Sequence, residues 1–238
     1  MPPAVTPKAR ATRGTAPALE GRWPRERLVL CGALASGACL AMLGARSWFV
    51  GRPAFAFLTW NLFLAWVPLA LNVVRALASL GLSTLSVRRE ARWVVLGPLD
   101  LAWLLFLPNA PYLVTDLVHL TERAPMPYSL DLLLFCAFAG TGCWLGVASL
   151  DSVLSRLRSA RVKAWVSVLS CLSCGYGVYL GRFVRLNSWD IVDLPQTLVT
   201  PLARPGAAVF TLAFAAFFGL QLWVFRCAAG VNVSTGDS

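Results

Sequence analysis

Asp116 and the chain's one histidine, His119, stand three residues apart, just after the proline-broken stretch Pro108-Asn109-Ala110-Pro111. If residues 113–121 form a short helix, positions i and i+3 share a face, with Cβ atoms ~5–6 Å apart. A carboxylate beside an imidazole can orient its tautomer and raise its basicity for proton transfer. The same pair could supply two ligands to a divalent metal, and Asp131 or Asp190 would complete a three-ligand site with an open position. The alternative is structural: Asp116 pairs with an arginine and His119 anchors an interface.

A second stretch, Gly181-Arg-Phe-Val-Arg-Leu-Asn-Ser-Trp-Asp190, sets Arg182 and Arg185 at i, i+3. Two guanidiniums could clamp a phosphate or carboxylate. They could equally enter an ion-pair network with Asp116, Asp190 and Asp193. Asn109, Tyr112 and Asn187 add neutral polar groups to the same two stretches. Asn187-Ser-Trp is no glycosylation acceptor, because Trp189 stands where Ser or Thr is needed.

These residues must be positioned by membrane helices. Of the 238 residues, 58% are hydrophobic and 13% charged, with a mean hydropathy of +0.66. A soluble domain of this length needs more charge to cover its surface. The apolar residues instead gather into runs near 28–45, 54–74, 93–112, 130–150, 164–181 and 207–225, lengths that span a bilayer. The fold class expected is an all-α integral membrane bundle of about six helices. Its domain would fill residues 27–227, between a disordered basic tail (1–26) and a short polar tail (228–238). The first apolar run lacks a convincing cleavage site and reads as an uncleaved span. Residues 75–92 include an apolar piece too short to cross, expected to be interfacial or a helix extension.

The net charge of +10 does not indicate nucleic acid, because the basic residues cluster in short connections between apolar runs. Six Lys/Arg precede span one, four lie in 75–92, four in 151–163 and one follows span six; the other side carries six. By the positive-inside rule both termini are cytoplasmic, in a multi-pass plasma (inner) membrane protein. Residues 108–129, the start of span four and residues 182–206 then share the outer face. That gathers Asn109, Tyr112, Asp116, His119, Asp131, Arg182, Arg185, Asn187 and Asp190 on one boundary, with Asn61 in the outer half of span two. Asp100, in span three, could be protonated or bonded across helices and could begin a proton path.

Two Gly-x-x-x-Gly pairs, 142/146 and 177/181, would let neighbouring backbones approach. Cys171-x-x-Cys174 lies inside a span and reads as small packing residues rather than a redox motif. No phosphate-cradling loop, HExxH or GxSxG is present.

PNAPYLVTDLVHL (108–120), the Asp131-Leu start of the following span and GRFVRLNSWDI (181–191) together resemble the polytopic bacterial membrane proteins grouped as domain of unknown function 1361. The resemblance covers roughly residues 35–225. It implies an integral membrane protein and supplies no reaction. The positions it singles out are Pro108, Asn109, Pro111, Tyr112, Asp116, His119, Asp131, Gly181, Arg182, Arg185, Asn187, Ser188, Trp189 and Asp190. Three functions stay open: an enzyme acting on a lipid-linked or envelope substrate, a small-solute or ion transporter, and a structural or assembly protein. The bilayer is the one partner the sequence names.

Overall fold

A computed structural model describes residues 25–120, 126–186 and 204–230. All regular elements among them are helical: α1 (Arg25–Val50), α2 (Ala56–Thr84), α3 (Arg89–Phe106), a single turn α4 (Asn109–Tyr112), α5 (Tyr128–Leu154), α6 (Ala160–Tyr179) and α7 (Pro205–Ala228). A 3-10 segment, Leu113–His119, follows α4, and a π turn, Leu180–Val184, extends α6. Six helical segments are long and apolar enough to cross a membrane, the third being Glu90–His119 with its internal break. The helices overrun the apolar stretches at their ends. Hydropathy marks only the part in hydrocarbon, whereas backbone hydrogen bonding continues into the polar zone. The apolar piece near residue 80 is accordingly an extension of α2, which ends at Thr84.

The bundle is built around α5. Two-thirds of its spanning window (67%) is buried, against 22–39% for the other spans. Such a helix shows no amphipathic stripe because it has neighbours on every side. Small residues from Ala139 to Ser149 let those neighbours close in. Leu58, Leu62, Leu113, Phe135, Phe138 and Leu145 form one core cluster, and Leu107, Leu150, Leu154, Cys174 and Phe218 belong to another. Leu34, Phe49, Leu77, Val94, Val209 and Leu212 are exposed. In water that apolar surface would be costly, and it suits contact with lipid chains.

Several buried polar groups pair across helices, where hydrocarbon offers no water to satisfy them. Asn72 donates to the carbonyl (3.0 Å) and hydroxyl (2.9 Å) of Ser149, and Trp103 Nε1 donates to the same hydroxyl at 2.9 Å. Arg75 makes a two-pronged ion pair with Asp100 across α2 and α3. Arg46 does the same with Asp131 across α1 and α5, at 2.5 and 2.8 Å. The Arg46 guanidinium also lies 4.4 Å from the centre of the Phe55 ring.

Candidate functional site

The break after α3 follows from its two prolines. Neither Pro108 nor Pro111 has an N–H to return to the preceding turn. The Ala110 amide reaches only to Leu107 O, three residues back (3.2 Å), so the chain tightens. That shift leaves the Phe106 carbonyl without the amide an α-helix would have supplied. The Asn109 side chain donates to it instead, at 3.0 Å. The tightened winding then continues as the 3-10 segment, with Thr115 Oγ1 bonded back to Tyr112 O at 2.8 Å. Asn109, expected as a site residue, thus also serves as the side-chain cap of the break.

Both glycine pairs grip this one irregular segment. A Cβ on Gly142 would stand 2.3 Å from the Ala110 carbonyl oxygen, and one on Gly146 3.2 Å from Ala110 Cβ. A Cβ on Gly177 would meet the Pro108 ring at 2.5 Å, and one on Gly181 the Tyr112 ring at 3.0 Å. The motifs in α5 and at the end of α6 therefore form two walls of a slot. The Pro108–Leu113 segment lies between them, with Ala110, Pro111 and Leu113 buried.

This slot aims the ionisable groups. The 3-10 period of three stacks Leu113, Asp116 and His119 along one side of the segment. Asp116, only 2% exposed, accepts a hydrogen bond from Asn61 Nδ2 at 2.7 Å. His119, one turn on, is exposed; its ring sits edge-on to Phe57, and its Nε2 lies 3.0 Å from Arg182 Nη1. A guanidinium can only donate. The imidazole nitrogen facing it is therefore the acceptor, which corresponds to the tautomer protonated at Nδ1.

Arg182 belongs to the π turn, and Arg185 closes that turn in the left-handed conformation (φ 65°, ψ 35°). A non-glycine residue there costs about 1–3 kcal/mol, which surrounding structure must offset. π turns and such outliers concentrate at functional sites. Here they bring both arginines to the wall of one cavity, of about 480 Å³. The N-terminal turns of α2, the end of α3, α4 and the α6–π junction line it. Asn61, Asn109, Tyr112, His119, Arg182 and Arg185 supply its polar groups, and Trp60, Leu64, Leu105, Leu180 and Leu186 its apolar ones. Among the described residues, no carboxylate lies within ion-pairing distance of Arg182 or Arg185.

Two of the expected members lie elsewhere. Asp131 does not line this cavity; Arg46 neutralises it in a buried pair on the α1 side of α5. Arg46 lies near the end of α1 and Asp131 near the start of α5, and the alternation of the spans sets both at one boundary, which was the available signal for their pairing. Asp100 does not line the cavity either, being held by Arg75. Asn187 and Asp190 lie outside the described residues. Among the described residues, no three of His, Cys, Asp and Glu are grouped so as to hold a metal ion. The three-ligand site built from Asp116, His119 and Asp131 is therefore not formed. Composition gave no hint of the apolar wall of Trp60, Leu64 and Leu105, because Leu and Trp look alike on lipid-facing and cavity-facing sides.

Six long apolar helices, one of them buried at the centre of the bundle, define a multi-pass α-helical membrane protein. Within that class, the family described as Protein of unknown function (DUF1361) matches residues 60–224, and the chain belongs to it. The match takes in the broken segment, both glycine pairs and both arginines. Neither the curated proteins nor the solved structures contain a match to this chain.

Proposed function

We propose that the cavity binds an anionic group, of phosphate or carboxylate type, presented at the exoplasmic face of the plasma membrane. The observation that carries this is the convergence of Arg182 and Arg185 on one cavity without a described carboxylate partner. Guanidiniums offer paired N–H donors matched to such oxyanions. Tyr112 adds a neutral polar group at the same wall. In this reading His119 accepts from Arg182 and holds that guanidinium beside the bound anion. Asp116 is a positioning residue, holding the Asn61 amide through their 2.7 Å bond. The exoplasmic assignment rests on the Lys/Arg asymmetry of the connections, with the membrane domain spanning 27–227 and both termini cytoplasmic. The transporter reading has less support, since Asp100 is ion-paired and does not line the cavity.

The test is calorimetric binding of inorganic phosphate and acetate to protein in lipid nanodiscs. Charge-assisted hydrogen bonds contribute about 1.5–3 kcal/mol each. Arg182→Ala and Arg185→Ala should therefore each weaken binding by about tenfold or more, with unchanged melting curves. Equal affinity in the wild type and the Arg182→Ala/Arg185→Ala double variant would sink the reading.

A further inference from the structure

We infer that the anion is a phosphate-type group carried on a lipid chain, with its head at Arg182 and Arg185 and its chain along Trp60, Leu64 and Leu105. This rests on the anion-binding reading above and names its substrate class.

Depth is the first argument. Leu64 lies eight residues into α2, about 12 Å below the helix start at 1.5 Å per residue. Gly177 lies seven residues before the end of the Ala160–Val184 span, about 10 Å down by the same rise. The cavity therefore begins at the arginines and descends into the zone where a membrane-spanning helix meets hydrocarbon.

Size and lining point the same way. A volume near 480 Å³ falls within the ~300–1,000 Å³ of small-molecule sites. An inorganic anion of five heavy atoms would leave most of it unfilled. Polarity is also graded along the cavity. Arg182 and Arg185 sit beyond the end of α6, whereas Leu64 and Leu105 sit within α2 and α3. A free anion has no use for that lower wall. An amphiphile matches both halves, its phosphate on the guanidiniums and its first methylenes against leucine and indole. Trp60, half exposed on α2 beside Phe63 (ring centres 5.4 Å apart), marks the side on which lipid would reach the mouth.

The experiment compares inorganic phosphate with ethyl, butyl and hexyl phosphate, each titrated into protein in zwitterionic nanodiscs against empty discs. A fully buried methylene is worth about 0.8 kcal/mol, so affinity should rise up to about fourfold per methylene. Leu64→Ser and Leu105→Ser should flatten that slope, read in each variant as the ratio of hexyl phosphate to inorganic phosphate affinity. If either serine variant melts early, Leu64→Ala and Leu105→Ala take its place with the same expected flattening. An affinity independent of chain length, with Arg182→Ala still weakening phosphate binding, would overturn the lipid assignment and leave a free-anion site. Binding of no phosphate at all would remove the anion reading itself.

Discussion

Substituting Gly142 tests whether the site is built by the grip of α5 on the broken segment. A methyl group added there would stand 2.3 Å from the Ala110 carbonyl oxygen and 2.6 Å from Leu113 Cδ1. An ordinary contact needs about 3.4 Å or more, so a rigid backbone oxygen would have to retreat by more than 1 Å. Overpacking of this kind costs about 1–3 kcal/mol. Intrinsic helix propensity works the other way, since Ala is favoured over Gly by up to about 1 kcal/mol. Gly140, two residues earlier on the same helix, separates the two effects: a Cβ there meets nothing within 4 Å. Gly140→Ala should therefore hold or raise the melting temperature in detergent, while Gly142→Ala lowers it. Because Ala110 lies between Asn109 and the 3-10 segment carrying His119, Gly142→Ala should also weaken anion binding, and Gly140→Ala should not. Equal melting temperatures for the two variants would refute the slot, whatever the binding data show.

Removing one partner of the buried Arg46–Asp131 pair should cost about 3–5 kcal/mol, and Arg46→Met with Asp131→Leu together should recover much of it, as read by thermal melts. A loss equal to the sum of the single variants would contradict a direct pair. Asp116→Asn keeps an oxygen to accept from Asn61 and should be mild. Asp116→Leu strands that donor and should cost about 1–3 kcal/mol, with strong non-additivity against Asn61→Leu. Asn109→Ala removes the donor to Phe106 O and should cost about 0.5–1.5 kcal/mol; no change in stability would mean that the carbonyl finds another partner. Reporters placed after Leu120 and after Leu186 should report the same compartment, opposite to that of a reporter at the C-terminus. Opposite signals from the first two would overturn the topology.

Much of this protein is legible in the chain itself. Apolar runs of bilayer length determine six spans, because unpaired backbone groups cannot be left in hydrocarbon and only helices of that length satisfy them. The prolines at 108 and 111 determine the break, since an imino acid cannot donate. Placing His119 and Arg182 on one boundary needed only the parity of the spans, and the structure sets them 3.0 Å apart. The partners, however, were decided by tertiary packing. Several carboxylates and guanidiniums share that boundary, and which ones meet depends on helix rotations that sequence does not encode locally. So Asp131 went to Arg46 rather than to His119, and Asp116 turned inward to Asn61. The glycine pairs likewise advertised close approach without saying of what. Only the assembled bundle shows that both close on the same proline-rich turn, and that a π turn with a left-handed Arg185 brings two cations to the cavity beside it.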